Sequence, residues 1–307
     1  MSIAIYTHPD CLEHDPGPGH PENAGRLRAI LAALHSASYV SRLNFVTPPP
    51  GRDEQILLAH SPEHLAHIKA SAPASGRVAL DGDTLLSGGS LTAARYGAGA
   101  ACQGLDDVLA GRFSKAFCAT RPPGHHATRN QAMGFCLFNN IGIAALHAQQ
   151  QHRLQRVAIV DFDVHHGNGS QDILRGREGI LYISTHQSPL YPGTGTSAEN
   201  IPGNIANFPL PAGTGGELYR EIFLSAILPQ LHAFKPDMIL ISAGFDAHRL
   251  DPLAGLALDT ADYLWLGEQL GACAEQYCQG HLLAVLEGGY NLQVLGDCVA
   301  AFLEGLL

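Results

Sequence analysis

The chain has 307 residues, 46% of them hydrophobic and 15% charged, which is enough apolar material for a large core and argues against disorder. A net charge of −10 and a pI near 5.9 exclude nucleic-acid binding through a basic surface. No apolar run approaches the roughly eighteen residues needed to span a bilayer. The N-terminus has no basic segment followed by an apolar one. The seven scattered cysteines, odd in number and without a C-x-x-C pair, read as reduced thiols, so a cytoplasmic protein is expected.

Ser2–Tyr6 reads as a strand that runs into a long loop rich in proline, glycine and histidine, from Thr7 to Asn23, a length that usually signals function. A helix is predicted from about Asn23 to Ser36, with Leu27, Ile30, Leu31 and Leu34 on one face. Ser61-Pro62-Glu63 opens another, with serine as cap and proline in the first turn. Residues 79–90 read as a loop carrying Asp81 and Asp83, and residues 90–110 as a helix whose glycines imply close packing. Lys115–Ala119 is a short strand ending in T-R-P-P-G-H-H-A. A helix over residues 140–150 follows M-G-F-C-L-F-N-N. Further strands are predicted at Arg156–Val160, Ile180–Ser184, Asn207–Leu210, Asp237–Ser242 and Leu282–Leu286. Helices are predicted at residues 217–234, at 260–279 with Thr260 as cap, and at the C-terminus. Strands alternate with helices from end to end, so residues 1–307 are expected to form one α/β domain on a mainly parallel sheet. No linker or internal repeat stands out.

Polar clusters fall after Ala119, Val160, Ser184, Ser242 and Leu286. In open α/β sheets the edge formed by the carboxyl ends of the strands is where ligands bind. The densest cluster is D-F-D-V-H-H-G-N-G, residues 161–169. Asp161, Asp163 and His165 stand at i, i+2 and i+4, so in extended chain they share a face. Two carboxylates and an imidazole on one face are costly unless a positive charge sits among them. Carboxylate oxygen and neutral imidazole nitrogen suit zinc, and also iron(II) or cobalt(II). A third ligand is needed, and Asp246, at another buried strand's end, is the best candidate. Asp161 could instead steady a histidine. His125 and His126 offer a general base and acid, and Tyr290, after two glycines, a hydroxyl for a developing oxyanion. The set describes metal-assisted hydrolysis of a carbonyl compound. No G-x-S-x-G elbow and no dinucleotide fingerprint is present.

These motifs, with Y-P-G-T-G, S-A-G-F-D-A-H and E-G-G-Y, occur in the order found in histone deacetylases and bacterial histone-deacetylase-like amidohydrolases. The wording resembles the class II branch: E-G-G-Y instead of G-G-G-Y, and H-G-N-G instead of H-G-D-G. The resemblance covers roughly residues 1–300. It implies the arginase/deacetylase fold and a zinc-dependent deacylase acting on acetyl-lysine or a related N-acyl amine. An acetylpolyamine or small-amide or ester hydrolase, and a non-catalytic metal-binding or ligand-sensing protein, are the alternatives. By resemblance, Asp163, His165 and Asp246 match the zinc ligands, His125 and His126 the tandem catalytic histidines backed by Asp161 and Asn168, and Tyr290 the carbonyl-polarising tyrosine. A structural potassium ion is implied near Asp161, Ser184 and Thr185 with the backbone of Asp163 and His165. A second monovalent site would fall near Leu174, Arg177 and Ile180. Gly134, Phe135 and Tyr191 match channel walls, Leu253 stands where polyamine-selective relatives carry an acid, and Asp83 matches an acid that anchors substrate backbone. Arg26 matches an arginine of a product-release channel. The expected partners are an acyl-lysine peptide or protein or a small N-acyl amine, with no nucleic acid and no membrane. A homo-oligomer is left open.

Overall fold

The computed structural model describes residues 2–307. Eight parallel strands form the central sheet in the order β2-β1-β5-β10-β9-β6-β7-β8. They are β1 (Ile3–Tyr6), β2 (Leu43–Val46), β5 (Lys115–Cys118), β6 (Val157–Asp161), β7 (Ile180–Gln187), β8 (Ile205–Leu210), β9 (Met238–Ala243) and β10 (Leu282–Leu286). A separate antiparallel pair, β3 (Arg77–Ala79) and β4 (Leu85–Ser87), makes a hairpin of the stretch read as a loop. Its turn bears Asp81, whose Oδ1 accepts from the amides of Asp83 and Thr84, at 3.0 and 2.6 Å.

The inner strands are β-branched and apolar because both faces are covered. Along β6 the residues alternate between two cores. Val157 and Ile159 pack beneath α2 (Asp53–Ala59), α3 (Pro62–Ser71), α4 (Ser90–Leu109), α5 (Asn140–His152) and α6 (Asn168–Leu174). Ala158 and Val160 pack beneath α1 (Ala24–Ser36), α7 (Gly216–Ile222), α8 (Leu228–Phe234), α9 (Thr260–Cys278) and α10 (Leu295–Leu306). Ile159 is fully buried, and truncating such a side chain to alanine costs about 2–5 kcal/mol.

Several elements differ from what the sequence predicts. The cap of α9 is Asp259, not Thr260, because Asp262 Oδ2 reaches back to the Asp259 amide at 2.8 Å. The predicted helix over 217–234 is interrupted by a π turn at Phe223–Ile227, just before Pro229, which has no amide to give to the helical ladder. β8 begins at Ile205, two residues earlier than expected. The short β2, α2 and α6 carry too little apolar periodicity to be read from sequence.

Candidate active site

The four central strands β5, β10, β9 and β6 lie side by side, and the chain leaving each one carries a group toward a single point. Past the end of β6 the alternation continues. Phe162 and Val164 turn into the core under α9 and α10, and Asp163 and His165 gather with Asp246, which follows β9. One ligand atom from each of these three lies within 4.8 Å of the others, and all three residues are buried. His165 Nδ1 is 3.1 Å from Asp163 Oδ1 and 3.2 Å from Asp246 Oδ2. The remaining carboxylate oxygens are held by backbone: Asp246 Oδ1 accepts from Val164 N at 2.9 Å, and Asp163 Oδ2 from Gly288 N at 2.7 Å. Asp246 Oδ2 is buried and makes no hydrogen bond, an arrangement that costs free energy unless a cation completes it. Burial opposes charge on His165, yet its hydrogen bond to Asp163 and the Asp246 carboxylate lying against its ring raise its pKa to about 10. The pocket therefore favours positive charge here, and two carboxylates with one imidazole fit a divalent transition ion. Position 288 must be glycine, since any Cβ would collide with the carboxylates of Asp246 and Asp163.

The two histidines that follow β5 are stacked obliquely, ring centroids 4.0 Å apart, but their supports differ. His125 Nδ1 lies 3.1 Å from Asp161 Oδ2, which also accepts from the Tyr182 hydroxyl at 2.9 Å. Its Nε2 is 3.8 Å from Asp163 Oδ1. His126 Nδ1 faces the amide oxygen of Asn168 at 2.8 Å. Burial lowers the pKa of both. For His125 the carboxylates of Asp163 and Asp161 overcome it and raise the value to about 10. For His126 the neighbouring His125 and His165 add to it, and the pKa falls well below the ordinary histidine range.

A cavity of about 210 Å³ leads to this floor, lined by Asp83, His126, Gly134, Phe135, His165, Leu190, Tyr191, Leu253 and Tyr290. All five residues expected in the channel are therefore in its wall. Gly134 and Phe135 both adopt positive φ, 55° and 69°, a costly conformation for phenylalanine. The Phe135 ring meets Tyr290 edge-on at 5.9 Å, and Tyr191 stands edge-on to His126 at 5.1 Å. Burial raises the pKa of Tyr290 well above the usual phenol value, so its hydroxyl stays protonated and able to donate.

Three supporting groups, Glu287, Asp251 and Glu22, have no counterpart among the residues expected from sequence, and Arg26 joins them. Glu287, fully buried, accepts from Gly124 N at 2.7 Å and His125 N at 3.1 Å. It fixes the turn that presents the histidines, and burial pushes its pKa to about 7. Asp251 accepts from Tyr290 N at 2.7 Å and Leu253 N at 3.0 Å, tying the tyrosine loop to the channel wall. Arg26 donates to the carbonyls of Gly289 and Glu287 at 2.6 and 2.5 Å and lies 4.9 Å from the Tyr290 ring centre. Glu22 pairs with both Arg26 and Arg121 in the interior. The available signals were an acid directly after a buried strand in E-G-G-Y and a glutamate, Glu22, at the end of an otherwise irregular loop.

The groups matched to monovalent cations have partners of their own. Ser184 Oγ pairs with His186 Nδ1 at 2.9 Å, and Thr185 Oγ1 with the Tyr219 hydroxyl at 2.7 Å and, at 3.5 Å, with the carbonyl of Asp161. The carbonyls of Leu174, Arg177 and Ile180 do converge, but on Asn204 Nδ2, at 3.2, 3.3 and 3.0 Å. Gly176 N donates to Asn204 Oδ1 at 2.7 Å, which fixes the direction of that amide. A neutral donor thus stands at the point where the resemblance would put a second monovalent site.

Among the described residues, no helix is long and apolar enough to cross a membrane. Residues 20–306 match the histone deacetylase domain family. The chain is 38% identical to a histone deacetylase-like amidohydrolase of Pseudomonas aeruginosa, over 96% of this chain and 83% of that protein. It is 42% identical to a probable deacetylase of Methanothermobacter thermautotrophicus, over 94% of this chain and 86% of the other. The solved structure of the HDA15 HD domain superposes with a TM-score of 0.92 at 36% identity, covering 99% of this chain and 89% of that one. With the sheet, the strand-end groups and these likenesses in agreement, the chain belongs to the histone deacetylase family, whose arginase/deacetylase fold it adopts, and is a hydrolase of that deacetylase and amidohydrolase group.

Proposed function

We propose that the protein is a zinc-dependent deacylase that hydrolyses acetyl-lysine or a related N-acyl amine. The observation that carries the proposal is the convergence of Asp163, His165 and the unpartnered Asp246 Oδ2 at the foot of a narrow cavity walled by Phe135, Tyr191 and Leu253. A divalent ion bound by Asp163, His165 and Asp246 would supply Lewis-acid activation of the scissile carbonyl and of the attacking water. Iron(II) or cobalt(II) would satisfy the same donors.

The chain's own groups do the rest. The cavity wall grips the acyl chain and excludes water. Tyr290 donates its hydroxyl to the carbonyl oxygen as negative charge develops there. His126, neutral at working pH and oriented by Asn168, takes the proton of the attacking water at Nε2 and delivers it to the leaving amine. His125, held protonated between Asp161 and Asp163, adds positive charge beside the reacting centre. Asp161, with Ser184, Thr185 and the backbone of Asp163 and His165, is the proposed setting of a structural potassium ion. Asp83 at the rim is proposed to accept from substrate backbone. The seven buried free cysteines fit a reducing compartment such as the cytoplasm.

The test is turnover on a panel of acyl-lysine peptides, acetylpolyamines and esters, before and after chelator treatment and zinc readdition. The proposal expects amide hydrolysis that is lost with the metal, restored by zinc and blocked by hydroxamates. Undiminished turnover after complete metal removal would overturn it.

A further inference from the structure

A second group of metal-ligand type lies on the helical layer over the opposite end of the sheet from the cavity. Asp106 sits in the last turn of α4; His147 and His152 lie on α5, and His152 is its final residue. α4 and α5 run alongside each other in the same direction. Gly97 of α4 meets Asn140 at the start of α5, and nine residues further on Asp106 meets the two histidines. Both imidazoles aim Nε2 at the same oxygen, Asp106 Oδ1, at 2.8 Å from His147 and 2.6 Å from His152. One nitrogen from each ring and one carboxylate oxygen lie within 4.8 Å of one another. The rings cross at 71° with centroids 5.7 Å apart, so their ring planes diverge around a common point.

Hydrogen bonding alone leaves this cluster poorly satisfied. Each ring must protonate Nε2 to donate, and both donors then share one oxygen. Three features favour a cation instead. The donor set is two neutral imidazoles and one carboxylate, which binds zinc and its neighbours in the first transition row. Both helices end here, and each C-terminus carries roughly half a negative charge. Asp106 and His152 are about one-third exposed, at 33% and 29%, so water can complete the shell. With bonds of about 2.0–2.1 Å, tetrahedral ligand atoms stand roughly 3.3 Å apart. The two nitrogen–oxygen spacings fall short of that value by less than 1 Å, and two of the three side chains are partly exposed.

We infer that Asp106, His147 and His152 form a second divalent-metal site, of zinc type, that clamps the C-terminal ends of α4 and α5 together and is separate from the catalytic centre. The site does not depend on the functional reading above, because its ligands are side chains of other elements.

The experiment uses untagged, zinc-replete protein equilibrated with excess zinc ion, with bound metal counted by native mass spectrometry. Wild type is expected to bind one more zinc per chain than Asp106→Asn or His152→Ala. Zinc addition should raise the Tm of wild type and leave that of His152→Ala unmoved, with deacylase turnover equal in both. His152→Gln, which preserves a side-chain hydrogen bond toward Asp106 but removes the imidazole ligand, should behave like His152→Ala. Equal zinc counts in wild type and either first variant, or a zinc-dependent rise in Tm that survives in His152→Gln, would overturn the inference. Because each result is a difference between variants that share an intact Asp163–His165–Asp246 set, it reads the same whichever ion the cavity takes.

Discussion

The floor of the cavity and its wall are built on different principles. On the floor, Asp161, Asp163, Asp246 and Glu287 are fully buried, and each carboxylate is tied down by backbone amides, a histidine or a tyrosine hydroxyl. On the wall, Tyr191 is 39% exposed, and the groups facing the cavity touch it mainly through rings and aliphatic carbon. Reorganising the floor means breaking buried, charge-assisted hydrogen bonds, which are about twice as strong as neutral ones. Reshaping the wall means moving a ring. Chemistry is therefore preorganised and substrate choice is soft, so floor substitutions should abolish turnover on every substrate and wall substitutions should re-rank substrates.

The largest effect is expected from Asp246→Ala. It deletes the unpartnered oxygen at the ligand point and leaves the Val164 amide without its acceptor. Metal content and turnover should both fall to background on all acyl substrates, as read by elemental analysis beside an activity assay. Full metal occupancy in this variant would remove Asp246 from the ligand set. Tyr290→Phe comes next: the metal stays, folding is normal, and turnover drops by roughly 10²–10³, the usual cost of one lost oxyanion donor. Near-normal turnover would leave the hydroxyl without a catalytic role.

The paired histidines sharpen the comparison, because both belong to the floor and only His126 also faces the cavity. His126→Ala should lose about 10²–10⁴ in turnover, the range of a general acid–base, and His125→Ala less, because its contribution is charge alone. The pH dependence carries its own sign. His126 must be neutral to accept a proton, and its pKa is held low by burial and by its two histidine neighbours. Asn168→Asp places a carboxylate at Nδ1 and favours imidazolium, so the acidic limb of the pH–rate profile should move to higher pH by about one unit or more. Equal losses in the two alanine variants with an unmoved limb would refute the division of labour.

The same contrast explains what the sequence disclosed. Strand-end acids and histidines were legible because a buried apolar run followed by ionisable residues at alternate positions has few other uses, and Asp163, His165 and Asp246 do meet. The strands themselves were readable because two-sided burial leaves an unbroken β-branched run. What escaped notice depends on contacts between distant parts of the chain. The bond from Glu287 to the His125 amide crosses 162 residues, and that from Arg26 to the Gly289 carbonyl crosses 263; neither has a local signature. The hairpin bearing Asp83 was read as a loop because its strands are three residues long and one is wholly exposed. Asn204, which takes the carbonyls of Leu174, Arg177 and Ile180, is one more asparagine in a turn until the fold closes around it.

The smallest effect is expected on the wall, from Tyr191→Phe. The ring's edge-on contact with His126 survives this change, as does its apolar surface in the cavity lining. Only the hydroxyl is lost, and burial already holds it in its protonated form, with a pKa raised above the usual phenol value. Surface-proximal substitutions of this kind change stability by about 0.5 kcal/mol or less, and kcat on acetyl-lysine should stay close to that of wild type because no reacting atom loses a partner. The difference should appear between substrates. A wall without the polar hydroxyl discriminates less against longer aliphatic acyl groups, and each added methylene that finds apolar surface contributes about 0.8 kcal/mol when fully buried. The ratio of kcat/KM for a longer acyl-lysine peptide over the acetyl peptide should therefore rise several-fold in Tyr191→Phe, through KM. A fall in kcat on every acyl substrate alike would instead place Tyr191 with the floor, and the division between rigid chemistry and soft selection would have to be redrawn one ring further out.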